Sequence, residues 1–177
     1  YHPIKRVITY TSKQPRYKKK NGYDYHFIEK HEFEQRIDQG FFLEWSDAYG
    51  TYYGSPASIL TDLNRGESCI LVIDRKGAQA VAERYPDAIL IYIAVSSVEE
   101  LADRLHARAT ESLEQIARRL KRAQIEMNEE LQNPLFLHHI NNDDFNNALR
   151  DLISLVSKKL ERFDHEEQKN EMGKKQT

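Results

Sequence analysis

The sequence predicts an α/β fold with a mostly parallel sheet flanked by helices, and three observations carry that prediction. Strand-like and helix-like segments alternate along the 177 residues without internal repeats. Two apolar runs, Cys69 to Asp74 (closing on a carboxylate) and Ala88 to Val95, have the pattern of strands buried on both faces. Ser97 with Glu100 and Ser112 with Gln115 form the capping-box signature of helix starts.

Taken in order, Lys5 to Tyr10 is rich in β-branched residues and reads as a strand. Thr11 to Gly22 is polar and basic, broken by Pro15, and reads as a loop; Tyr23 to Phe27 reads as a short aromatic strand. Phe33 and Ile37 share one face of a helix from Lys30 to Gln39, stopped by Gly40. Phe41 to Trp45 is strand-like and leads into a turn-rich aromatic stretch through Gly54. Ser55 and Pro56 supply an N-cap and a first-turn proline for a helix ending near Gly66. After the Cys69 strand, Ala78 to Arg84 is helical; after the Ala88 strand come the two capped helices, the second running to about Leu131. Leu135 to Asn141 closes the strands. Asp143 to Phe163 is a last helix, with Leu149, Leu152, Ile153, Val156 and Leu160 spaced for burial. Residues after Asp164 form a polar, fraying tail.

Composition narrows the chemistry. Lys plus Arg (26) nearly balances Asp plus Glu (28), which argues against a broad cationic face for nucleic acid. The single cysteine, Cys69, excludes an internal disulfide and a thiolate zinc cluster, so a reducing, cytoplasmic setting is expected. The longest apolar run, Ala88 to Val95, is too short to span a membrane. His138 and His139 are adjacent and would point to opposite faces of a strand, which argues against a two-histidine metal site.

In open parallel sheets ligands sit outside the carboxyl ends of the strands, where the sequence places Asp74. Four constellations bear on that region, each with an ordinary alternative. Lys13, Arg16, Lys18, Lys19 and Lys20 are either a solvated loop or cations held for a phosphate. Tyr25 and the Tyr52-Tyr53-Gly54-Ser55 turn are either packing residues or neutral hydroxyl donors to the same phosphate. Glu44, between Leu43 and Trp45, either faces solvent or is a buried carboxylate that reads a base. Guanine offers N1–H and N2–H₂ side by side to such a carboxylate. Adenine offers an acceptor at N1 and no 2-amino group, leaving the buried charge unpaired. Arg104, Arg108 and Arg119 flank the connector Ala109-Thr110-Glu111; they are either a solvated helix face or a lid carrying guanidinium groups to phosphates.

In sequence order, "PR...NGYDYHF", "GFFLEW", "YGTYYGS", "ILVID..GA", "RLHARATES....ARRL" and "NNDD" together resemble the guanylate kinase family, from about Arg6 to Val156. The resemblance implies a P-loop-kinase-like fold with a small GMP-binding β subdomain (11–65), a core of 1–10 and 66–163, a helical lid (104–120) and a tail (164–177). It implies ATP-dependent phosphorylation of GMP, with Mg²⁺ carried by ATP, and leaves the oligomeric state open. By position it implies Thr9 at the GMP site, Lys13, Arg16, Tyr25 and Tyr53 on the GMP phosphate, and Glu44, Ser55 and Asp74 at the guanine. Arg108 and Arg119 would act catalytically on the ATP phosphates, Arg104 would be a further lid arginine, and Asn142 would lie near the adenine.

The chain departs from the family pattern at Lys13, where arginine is usual, at Val72, where an acid is usual, and at Arg75 and Lys76, which replace an uncharged pair. None of the seven glycines begins a G-x-x-x-x-G-K loop followed by Ser or Thr. The family's first strand, phosphate loop and helix are therefore expected to precede the matched stretch, leaving this chain with an acceptor site and lid. Against the kinase reading stands a catalytically silent, guanylate-kinase-like binding module; a nucleic-acid binder using Lys18 to Lys20 is disfavoured by the charge balance.

Overall fold

The computed structural model describes residues 4–48, 50–108 and 111–174, with backbone alone from 162 onward. Ala109 and Thr110 of the expected lid connector and residues 175–177 of the expected tail lie outside the described residues. The chain divides into two compact units, Tyr1–Ala88 and Ile89–Thr177. None of the described helices is long and apolar enough to cross a membrane.

The first unit contains, in order, β1 (Ile4–Arg6), β2 (Tyr10–Thr11), β3 (His26–Phe27), α1 (Lys30–Asp38), β4 (Phe42–Ala48), β5 (Thr51–Pro56), α2 (Ile59–Leu63), β6 (Ser68–Ile70) and α3 (Arg75–Arg84). β1 and β6 form a parallel pair, and a mixed sheet runs β3-β2-β5-β4. The expected single strand from Lys5 to Tyr10 is therefore two strands serving two sheets. Val7 N–H still donates to Ile70 O at 3.0 Å, after which the chain crosses over and Tyr10 and Thr11 pair with β3 and β5. Val7, Leu43 and Ile59 are the buried centre shared by the two sheets, with Leu60, Cys69, Leu71 and Tyr85 packed around them.

Three further expectations change. The turn-rich stretch is a hairpin: β4 and β5 pair antiparallel from Ala48↔Thr51 back to Phe42↔Pro56, with Gly50 at φ +77° and its N–H bonded to Asp47 Oδ1 at 2.6 Å. Ser55 and Pro56 are consequently strand residues, and α2 starts later behind Ser58. The strand expected to reach Asp74 stops at Ile70; Asp74 is instead the N-cap of α3, its Oδ1 accepting from Gly77 N–H at 3.0 Å. A short carboxylate facing free helix N–H groups favours a cap over a strand end.

The second unit contains β7 (Ile91–Ala94), α4 (Val98–Arg108), α5 (Leu113–Gln132), β8 (His138–Asn141) and α6 (Phe145–Lys174). β7 and β8 pair parallel from Ile91↔His138 to Ala94↔Asn141. The capping box of Ser112 and Gln115 is fully formed, and Ser97 Oγ accepts from Glu100 N–H at 3.2 Å. Burial differs from expectation: Ile93 is 49% exposed, and Leu149 and Ile153 of α6 are exposed while Leu152, Val156 and Leu160 are half-buried. β8 packs on α6 and Ala148 is buried, but that contact leaves part of the apolar stripe open. The backbone of α6 runs on to Lys174, past the point where a fraying tail was expected. Parallel pairing thus occurs in both units, but the largest sheet among the described residues is mixed.

Candidate nucleotide site

A β-bulge builds the site. Along β4 the register with β5 slips between Phe42 and Glu44, so Phe42 stands opposite Pro56 and Glu44 opposite Ser55. Without the slip, alternation would put Phe42 and Glu44 on one face; the extra residue puts them on opposite faces. Phe42 joins the aromatic face, where its ring stacks on Phe33 at 4.3 Å and meets Tyr10 edge-on at 5.9 Å. Trp45 and Tyr52 continue that face. Gly54 is required there, since a Cβ would lie 2.9 Å from the Phe42 ring and 3.1 Å from Phe33.

The opposite face is polar and covered. By register it carries Thr11, Tyr53 and Ser55 from β2 and β5, and Glu44 and Ser46 from β4. Four of these, Thr11, Glu44, Ser46 and Ser55, are buried, and Thr9 just before β2 is buried as well. Thr11 Oγ1 is used structurally, donating to Tyr52 O at 2.9 Å and accepting from Lys13 N–H at 3.1 Å. Thr9 O accepts from His26 N–H at 2.9 Å, which ties β3 alongside.

Glu44 Oε1 accepts from Ser55 N–H at 3.0 Å. The Ser55 hydroxyl lies beside the same carboxylate and favours its charge, yet it is wholly buried and makes no bond of normal geometry. Burial pushes the Glu44 carboxyl above the usual carboxylate range; the Ser55 contacts pull it back and Asp74 adds to the rise. Gly77, in the first turn of α3, presses on the other oxygen: a Cβ there would sit 2.5 Å from Glu44 Oε2. Glu44, Ser55 and Asp74, three residues expected at one base, are thus brought together by β4, β5 and the start of α3.

Of the residues expected at the phosphate, Tyr53 lies on the same sheet face by register. Tyr25 and Tyr53 meet edge-on, ring centroids 6.0 Å apart, and Tyr25 also meets Phe27. Lys13 is half-buried and Arg16 exposed, two and five residues beyond Thr11. In the following turn Lys19 pairs with Asp24 at 2.6 Å, and Lys18 holds φ +70°. Val72 is 75% exposed, Arg75 half-buried and Lys76 exposed. Sequence reasoning passed over Gly77, Ser46 and the bulge. Gly77 left a signal, a glycine inside an otherwise alanine-rich helix; the bulge left none.

In the second unit Arg104, expected as a lid arginine, is hydrogen-bonded to its own unit. Its Nε bonds Glu100 at 2.7 Å, and its two terminal nitrogens donate to Asn142 O at 2.6 Å and Asp143 O at 2.7 Å. The turn it holds is tied further, with Asn142 N–H on Ala94 O and Ser96 N–H on Asp143 Oδ1. That bond from Ser96 is the main reason the Asp143 carboxyl lies below its usual range. Arg104 therefore serves the Asn142 turn from α4. Arg108 is exposed at the end of α4, and Arg119 pairs with Glu111 at 2.9 Å. At the other end of β8, the buried Glu130 accepts from Leu135 N–H and Phe136 N–H, both at 3.1 Å, and meets His139 Nε2 at 3.0 Å.

A family profile described as guanylate kinase matches residues 2–159. The chain is 40% identical over 154 residues to the guanylate kinase of Symbiobacterium thermophilum, covering 86% of this chain and 72% of that one. It is 42% identical over 150 residues to the guanylate kinase of Chromobacterium violaceum, covering 84% and 70%. The crystal structure of guanylate kinase from Anaplasma phagocytophilum superposes with a TM-score of 0.71 at 28% identity, over 88% of this chain and 76% of that one. A profile match over most of the chain, with relatives about 40% identical across some 70% of their own length, places the protein in the guanylate kinase family of nucleotide phosphotransferases.

Proposed function

We propose that the chain binds GMP on the polar face of its mixed sheet and serves ATP-dependent phosphorylation of GMP to GDP. The observation that carries this reading is the Glu44 pocket: a buried carboxylate with one internal backbone bond, beside a buried Ser55 hydroxyl without one. Such groups are satisfied by a ligand that donates, and guanine's N1–H and N2–H₂ are paired donors. Tyr25, Tyr53, Lys13 and Arg16 then lie toward the phosphate end. Tyr25 and Tyr53 supply neutral hydroxyls, and Lys13 and Arg16 supply charge.

Transfer would follow in-line attack by a GMP phosphate oxygen on the γ-phosphorus of ATP, with ADP leaving and no covalent enzyme intermediate. Arg108 and Arg119 would neutralise charge developing on the transferred group, and Arg119 must exchange Glu111 for phosphate to do so. Among the described residues no three His, Cys, Asp or Glu side chains gather into a metal cage. Mg²⁺ would enter with ATP and offset charge on its phosphates. The alternative, a silent binding module, draws on Lys13 in place of arginine and the exposed Val72.

Calorimetric titration of this chain with GMP, using AMP as control, separates the readings. GMP-selective binding supports the acceptor site, and its absence in a chain shown to be folded favours the binding module.

A further inference from the structure

Among the described residues the buried polar side chains are Thr9, Thr11, Glu44, Ser46, Ser55 and Glu130. Thr11 and Glu130 are accounted for by internal hydrogen bonds. Glu44 and Ser55 belong to the base pocket, and Thr9 is the position expected at the GMP site. Ser46 has no such assignment. It is 6% exposed, and among the described residues none hydrogen-bonds its hydroxyl. Ser46 Oγ is not one of the sealed polar atoms, as Ser55 Oγ is, so it keeps an opening onto the sheet face where a ligand can reach it.

Register locates it. Glu44 stands opposite Ser55, and Ser46 stands opposite Tyr53 on the same face. A step of two residues along a strand is about 7 Å, so Ser46 lies one side-chain row beyond the carboxylate, in the row of Tyr53. Tyr25 meets Tyr53 from the opposite side, across β2. A nucleotide laid with its base on Glu44 and its phosphate over Tyr53 runs past Ser46. Lys13 adds a single-point cation at that end, which leaves phosphate oxygens open to hydroxyl donors.

We propose that Ser46 is a specificity-determining residue of the acceptor site, donating its hydroxyl to the 5′-phosphate of a nucleoside monophosphate. The proposal rests on the GMP-binding reading of the same face. It is tested by titrating the unsubstituted chain, Ser46→Ala and Ser46→Cys with GMP and with guanosine, after thermal melts have confirmed folding. Cysteine keeps the side chain nearly the same size while weakening the donor, so it serves if alanine disturbs the sheet. The expected result is a three- to tenfold loss of GMP affinity in both variants, with guanosine affinity changed less than twofold. Unchanged GMP affinity, or equal losses for GMP and guanosine, overturns the role of Ser46. An unsubstituted chain that fails to prefer GMP over AMP is a different result and removes the GMP reading itself, and the Ser46 role with it.

Discussion

Replacing Gly77 with alanine adds one methyl group at the point where α3 touches the base pocket. The added carbon would lie 2.5 Å from Glu44 Oε2, 3.2 Å from its Cδ and 3.3 Å from Ile73 Cβ. To restore ordinary contact the carboxylate must retreat by roughly 0.7–1 Å, which strains or breaks its bond from Ser55 N–H. Losing a hydrogen bond to a charged group costs about 1.5–3 kcal/mol and overpacking about 1–3 kcal/mol, partly for the same displacement. Alanine returns about 1 kcal/mol through helix propensity. The net expectation is destabilisation by about 2–4 kcal/mol, read by urea unfolding. GMP affinity should fall roughly ten- to hundredfold, equivalent to about 1.4–2.8 kcal/mol. Ala80→Gly in the same helix is the control: it should lose about 1 kcal/mol of stability with GMP binding intact. If Gly77→Ala matches the parent in both stability and GMP affinity, the close approach of α3 to Glu44 plays no part in the pocket.

Glu44→Gln keeps the shape of the side chain and removes its charge, so GMP affinity should drop at least tenfold while AMP affinity stays level in paired titrations. Because burial raises the Glu44 carboxyl above its unfolded value, the folded state holds its proton to higher pH. GMP needs the ionised form, so its affinity should fall as pH drops through that raised value and recover above it; Glu44→Gln should lack this limb. The same raised value means that Glu44 subtracts from stability as pH climbs from its unfolded to its folded value, with no further change beyond. Arg104→Met should speed amide exchange at Ser96 and Asn142, whose N–H groups are held by the turn it clamps. Exchange unchanged at both amides would return Arg104 to the role of an uncommitted lid arginine. Glu130→Ala strands the N–H groups of Leu135 and Phe136 and should cost about 2–4 kcal/mol in urea unfolding, and a smaller loss than 1 kcal/mol would mean that water replaces the carboxylate.

Helices were more legible than strands, and the reason is local. Ser112 with Gln115 fixes its own helix start through bonds to residues three positions away, and the structure has both. Gly40, at φ +65°, likewise marks the end of α1 by a conformation that only its own residue decides. Lys5 to Tyr10 has no comparable marker: every residue suits a strand, and the partners that split it into β1 and β2 lie some 40 to 60 residues away in β5 and β6. Asp74 acts on Glu44 from the cap of a helix and not from the expected strand end; a carboxylate after an apolar run suits either. Glu44 could be singled out by its apolar neighbours. The side of the sheet it occupies was not readable, since the register slip that sets it depends on pairing across the hairpin.

That slip lets two residues spaced for one face serve two. Deleting Leu43 would leave Phe42 opposite Pro56 and Glu44 opposite Ser55, now in regular pairing, so both would keep their faces without the bulge. What the deletion removes is Leu43 itself, buried at the centre shared by the two sheets. In a deletion scan of this strand, loss of Leu43 should therefore cost stability before it costs recognition of the nucleotide, whereas loss of Trp45 would move Glu44 into the row of Gly54, on the aromatic face.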